Sequence, residues 1–202
     1  MHRSVLEKVP MSPDEEATYH FNGHLLVAIQ KDTAFVHVVG RGSYRTSSGL
    51  KDFGQVAFEA GCHELVMDMA DCTGMDSTFM GVLAGLAFRL KQQCRGEVLL
   101  VNLSVRTYGM LATLGLDQVI RPYMEGSTPP QYEKILDEER RLEALEHGPE
   151  SRRTTAETML EAHEHLVEIS PDNQVRFKDV LTYLREELRK HQPEDLEGTD
   201  PG

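Results

Sequence analysis

Between Leu65 and Leu86 the apolar positions change period once, and that change organises the reading of the chain. Leu65, Val66, Met67 and Met69 form a short, nearly continuous apolar run, as in a strand covered on both faces. From Phe79 the period becomes helical: Phe79, Leu83, Leu86 and Leu90 share a stripe, with Met80, Ala84 and Ala87 beside them. An acidic loop separates the two. The helix opens after Gly74, Met75 and Asp76, where Asp76 or Ser77 can cap free backbone N–H groups. Gly81 and Gly85 lie one turn apart on it. Each costs about 1 kcal/mol against alanine inside a helix, so the pair predicts close approach by another surface.

The same reading extends in both directions. Ala34 to Gly40 alternates as a strand, Ser47 to Ala60 reads as a helix, and Glu97 to Asn102 as a further strand. Leu103-Ser104-Val105-Arg106 leads into a helix that ends at Leu114-Gly115-Leu116-Asp117, ahead of a last strand from Val119 to Met124. Two strands followed by alternating helices and strands predict an α/β fold, a mixed sheet with helices against it.

The flanks differ. Residues 1–24 form an extension in which Ser12-Pro13-Asp14-Glu15 reads as a capping box. Residues 25–126 hold the sheet domain, and Gly126-Ser127-Thr128-Pro129-Pro130 marks a linker into a helical extension, 127–191. Tyr132 to His147 reads as a charged helix stopped by Gly148 and Pro149. Thr154-Thr155-Ala156-Glu157 is expected to cap a helix running to about Ile169, and Ser170-Pro171-Asp172 to cap a final one carrying Phe177, Leu181, Leu184 and Leu188. With Met159, Leu160, Leu166 and Val167 opposite, these two form an αα-hairpin that must bury its apolar face on the domain, on the preceding helix or on another copy. Residues 192–202 read as a polar, disordered tail.

Charge narrows the partners. The chain of 202 residues carries a formal charge of −12, which argues against nucleic acid. Gln131 to Gly202 holds 19 acidic and 10 basic residues, so most of the excess belongs to the extension. The start has no apolar leader and no run is long enough to span a bilayer, which makes the cytoplasm the expected compartment. Cys62, Cys72 and Cys94 form no C-x-x-C pair and read as reduced thiols.

Several patterns invite chemistry. Asp68, Asp71 and Asp76 cluster near one strand end, where a magnesium site or an aspartyl-phosphate acceptor could form. No acidic pair follows an earlier strand and no lysine follows the last, so that reading is weak. Gly40-Arg41-Gly42-Ser43 lacks the lysine of a phosphate loop and reads better as a strand-to-helix turn. His163-Glu164-His165 places its imidazoles two apart on a helix, where they do not converge on a metal; they are expected to face solvent. Ser77 and Thr78, at the mouth of a helix, can serve as cap, phosphoacceptor or phosphate-binding site.

The residues around this helix resemble the signature of the STAS domain, the fold of bacterial anti-sigma factor antagonists. That pattern is an apolar strand ending in Asp, a small loop, then D-S-[ST]-G-[LM]-G-x-L. Asp68 ends the strand here, and Asp76-Ser77-Thr78 with Met80-Gly81-Val82-Leu83 fills the signature. Phe79 stands where the family has glycine, and Ser43 where many members carry Asp. The resemblance covers Leu25 to Met124 and implies a STAS-like mixed β-sheet flanked by helices, followed here by the C-terminal α-helical extension. It implies Ser77 as the residue phosphorylated, with Thr78 as the substitute. The kinase would be an anti-sigma factor and serine kinase of the ATP-binding histidine-kinase-like fold, with a serine phosphatase to reset the switch. Met75, Asp76, Ser77, Thr78, Phe79, Met80, Gly81 and Ser43 would form the contact surface. No cofactor, metal, membrane or enzymatic activity is implied.

Phosphoserine adds about −1.5 to −2 charge, and a helix N-terminus accommodates an anion. Phosphate is therefore expected to repel a partner without melting the helix. The competing reading is a non-enzymatic scaffold subunit of a signalling complex assembled through the helical tail, whose C-terminal helices could also join copies of the chain as a homo-oligomer.

Overall fold

Strand β2 (Thr33–Gly42) is the spine of the molecule, because neighbours pair with it along both edges. A computed structural model of the chain describes residues 23–132, 142–145 and 151–190. The expected capping box at Ser12–Glu15 and the tail from Gln192 lie outside the described residues. β1 (His24–Gln30) runs antiparallel to β2 through a two-residue turn in which Lys31 adopts φ 56°. β3 (Glu64–Asp68), β5 (Glu97–Leu103) and β6 (Arg121–Met124) add in parallel on the other side. β4 (Cys72–Met75) pairs with the far end of β2, and β7 (Glu143–Ala144) with β1. The order β6-β5-β3-β2-β1-β7 is the mixed sheet the residue pattern predicts.

Two corrections concern this sheet. The acidic loop expected after β3 contains β4, four residues too short for periodicity to reveal. Glu143–Ala144, read from its charge as part of a helix over Tyr132–His147, is instead an exposed edge strand. Pairing with the edge of β1 decides that segment, which no local pattern records.

Strands buried on both faces need cover on both. On one face Ala34, Val36, Val38, Leu65, Met67, Val98 and Leu100 meet α1 (Tyr44–Glu59), α2 (Ser77–Cys94) and α3 (Val105–Thr113). On the other, Phe35, Val66, Leu99 and Val101 pack with Tyr132, whose hydroxyl donates to Glu64 at 3.0 Å. The first helix starts at Tyr44 rather than Ser47, because Ser43 supplies the cap position and Tyr44 to Thr46 form the first turn. The last strand begins at Arg121 rather than Val119. A 3-10 turn at Leu116–Gln118 takes up the residues before it.

The extension folds back onto the domain. Helices α4 (Arg152–Ile169) and α5 (Pro171–Lys190) form the expected hairpin, and Ala162, Leu166, Phe177 and Leu181 join the principal core. α4 starts two residues before the expected cap: Ser151 Oγ accepts the Thr154 N–H at 3.0 Å. The glycines of α2 explain the seating. A Cβ on Gly81 would lie 2.1 Å from the Ala162 carbonyl oxygen, and one on Gly85 would lie 2.4 Å from the His165 ring. Buried Asn173 locks the arrangement by donating to the carbonyls of Leu114 at 2.9 Å and Leu166 at 2.8 Å. Ion pairs Lys51–Glu161 and Arg185–Glu164 lie at the margins.

Candidate functional site

The turn after β3 and the pairing of β4 with β2 deliver Asp76 to the point where two helices begin. The Asp76 N–H donates to the Gly42 carbonyl at 3.0 Å. One carboxylate oxygen accepts the Phe79 N–H at 2.9 Å, capping α2; the other accepts the Tyr44 N–H at 2.8 Å, at the start of α1. Two helix dipoles thus favour one negative charge. Asp76 is a tie between helices, with both its oxygens engaged.

The other predicted residues divide by exposure. Ser77 and Asp76 are half-buried, whereas Met75, Thr78, Met80 and Gly81 are buried. Phe79 is fully buried, its ring so close over Gly42 that a Cβ there would lie 2.7 Å away. The bulky residue at the family's glycine position is therefore a core side chain. Ser43 is buried at the cap of α1, its N–H donating to Thr46 Oγ1 at 3.1 Å.

Ser77 meets a residue that sequence reasoning assigned elsewhere. Its Oγ lies 3.0 Å from Nε2 of His163, on α4. His163 and His165 were expected to face solvent; His163 is 4% exposed, and His165 is half-buried over Gly85 with its ring edge toward Phe88. Both turn toward α2, since the glycine positions leave room for the hairpin there. His163 Nδ1 lies 2.7 Å from the Met159 carbonyl. A carbonyl only accepts, so Nδ1 carries a proton. Burial lowers the pKa of the ring, against smaller opposing effects of the Met159 bond and Asp76. The imidazole is thus neutral, and its Nε2 lone pair accepts the Ser77 hydroxyl proton. Phe177 packs against the ring in a T-shaped contact, with the centroids 4.9 Å apart.

A second polar centre lies at the end of β3, on the sheet's other face. His37 Nδ1 is 3.0 Å from Asp68 and its Nε2 is 3.0 Å from Asp71. Asp68 also accepts from the Ala70 N–H at 3.1 Å and from Asn102 Nδ2 at 2.8 Å, while Thr128 donates to Asn102 at 2.9 Å. Asn102 adopts φ 57° where the β5–β6 register shifts, and this kink in the alternation brings its amide to Asp68. The Asp68 hydrogen bond raises the His37 pKa despite burial. Burial opposes ionisation of Asp68, but hydrogen bonds from His37, Asn102 and Ala70 outweigh it and lower its pKa. The two carboxylates thus favour the charged form of the ring, against burial. The sequence marked Asp68 and Asp71 but not His37, Asn102 or Thr128.

The remaining patterns resolve simply. Asp68 and Asp71 engage His37 while Asp76 ties the helices, and no group of three or more His, Cys, Asp or Glu is placed to hold a metal among the described residues. Gly40 and Gly42 belong to β2, and Ser43 precedes α1. Cys62 and Cys72 are buried free thiols, pushed up in pKa mainly by desolvation. No helix among the described residues is long and apolar enough to cross a membrane.

The STAS domain model matches residues 21–128, and the chain belongs to the STAS domain family. No curated protein matches the chain. Among solved structures, it is similar to a candidate anti-sigma factor antagonist of Thermotoga maritima, at 16% identity, TM-score 0.46, covering 57% of this chain and 93% of that one. It is similar to the anti-sigma factor antagonist SpoIIAA in its unphosphorylated form, at 17% identity, TM-score 0.45, with coverage of 57% and 94%. An antagonist from Mycobacterium paratuberculosis shows 19% identity, TM-score 0.45 and coverage of 58% and 94%. The hairpin that supplies His163 lies beyond the matched residues.

Proposed function

We propose that this STAS protein is a non-enzymatic, cytoplasmic anti-sigma factor antagonist, a binding switch set by phosphate on Ser77. The observation that carries this reading is the mouth of α2. Asp76 is committed to two backbone N–H groups and Thr78 is buried, which leaves Ser77 as the half-buried hydroxyl of the signature. The unphosphorylated form binds an anti-sigma factor that is a serine kinase of the ATP-binding histidine-kinase-like fold, and a serine phosphatase resets it. The hairpin covers α2 at Gly81, so contact is made at the open end of the helices by Asp76, Ser77 and exposed Tyr44. Ser43, Met75, Thr78, Phe79 and Met80 support that end from beneath. Phosphate works there by charge: it adds a dianion beside Asp76 and repels the docked partner while α2 stays folded.

The test is phosphopeptide mass spectrometry on the protein from its native cells, wild type against Ser77→Ala. Phosphate at Ser77 in the wild type is expected; its absence under growth and stress alike would sink the switch. A second reading draws on Val175, Val180 and Tyr183, exposed on α5. These favour a scaffold subunit that self-associates through the hairpin whatever the state of Ser77, and sedimentation of the wild type and Ser77→Ala separates the two readings.

A further inference from the structure

The Ser77–His163 contact joins the STAS domain to a helix outside it, and its direction is determined. The Met159 carbonyl holds the proton on Nδ1, the Nε2 lone pair faces the Ser77 hydroxyl at 3.0 Å, and Phe177 keeps the ring in place. A serine hydroxyl whose hydrogen bond ends on an oriented, neutral imidazole is the geometry of a nucleophile with its base. The other acid–base group beside Ser77, Asp76, has each oxygen already accepting a backbone N–H, one from each helix start.

We propose that His163 is the proton acceptor for phosphoryl transfer to Ser77, so that the C-terminal hairpin completes the acceptor site. This rests on Ser77 being the phosphoacceptor. Ser77 Oγ bonds to the γ-phosphorus of a nucleoside triphosphate held by the partner kinase. The bond from that phosphorus to its bridging oxygen breaks, and nucleoside diphosphate leaves with the electron pair. The hydroxyl proton passes to Nε2. The resulting imidazolium is a cation beside the new phosphate, so the hairpin stays seated in the phosphorylated protein. Burial, which keeps the ring neutral beforehand, keeps the lone pair available.

A fluorophosphonate probe tests the pair in the full-length chain without the kinase. Ser77 Oγ attacks its phosphorus, fluoride leaves, and the proton goes to the same base. Peptide mass spectrometry is expected to find the label on Ser77, with the rate reduced about 100-fold or more in His163→Gln, the lower range for a lost general base. In His163→Ala, added imidazoles are expected to restore labelling in order of their basicity, a readout that a packing defect would not give. Labelling of His163→Gln at the wild-type rate, no label on wild-type Ser77, or rescue independent of basicity would each overturn the proposal. Phosphate on Ser77 in cells together with fast labelling of His163→Gln removes the base and leaves the switch. Labelling that needs His163, without phosphate in cells, leaves the Ser77–His163 pair but overturns its role in phosphoryl transfer together with the switch.

Discussion

Two buried histidines on opposite sides of one sheet have pKa values shifted in opposite directions, and the difference lies in what each ring nitrogen meets. His37 has a carboxylate at both nitrogens, and these raise its pKa in favour of the imidazolium. His163 has a carbonyl at one and a hydroxyl at the other, packs against Phe177, and is held neutral. The first is a structural clasp joining the middle of β2 to the end of β3. The second turns a lone pair toward the Ser77 hydroxyl, the first of the two in the signature. Burial alone would lower both pKa values; the partners reverse the outcome for His37.

Breaking the clasp has the largest expected effect. Asp68→Ala leaves His37 with the exposed Asp71 and frees the Asn102 amide, and should cost about 3–5 kcal/mol, as for one partner of a buried pair. Urea unfolding followed by circular dichroism measures it. A loss under 1 kcal/mol would mean that the network contributes little.

Gly81→Ala attacks the other side by forcing a methyl against the Ala162 backbone. We expect a cost of about 1–3 kcal/mol, the usual range for overpacking. Hydrogen exchange should rise along α2 and α4 while β3 is unchanged; equal rises in both would show that hairpin and sheet unfold as one unit. Asn173→Ala leaves the Leu114 and Leu166 carbonyls without their donor and should cost about 1–2 kcal/mol, again confined to the hairpin.

The smallest effect is the most diagnostic. The folded pKa of His37 is raised, so its stabilisation is complete below the ordinary value of 6.5 and is lost as pH climbs through the raised value. The folded pKa of His163 is lowered, so its contribution is present above 6.5 and is lost as pH falls through the lowered value. Stability measured across this range should therefore lose its alkaline decline in His37→Gln and its acid decline in His163→Gln. The same sign of change in both variants would refute the opposite shifts of the two rings.

Much of the sheet domain was legible from residue pattern. The strand ending at Asp68, the helix from Ser77 and the close approach at Gly81 and Gly85 all stand in the structure. What the pattern misplaced has a common cause. Glu143–Ala144 looked helical because charge periodicity is local, but an open strand edge determined its conformation. His163 and His165 looked like solvent residues because their neighbours in sequence are charged, while their neighbours in space are on α2. Asn102 sat in an ordinary strand run, and only its left-handed backbone carries it to Asp68.

By itself the sequence determined the family and the longer strands and helices, because apolar period, cap residues and the D-S-T signature act over a few residues along the chain. It also determined that some surface would press on α2, because glycine at two successive turns costs helix stability that packing must offset. Only the tertiary structure decided what that surface is. Ser77 meets His163 across 86 positions, and His37 meets Asp68 across 31. Whether an imidazole is a cation or a base depends on groups brought within 3 Å by folding, and such distances have no trace in local order.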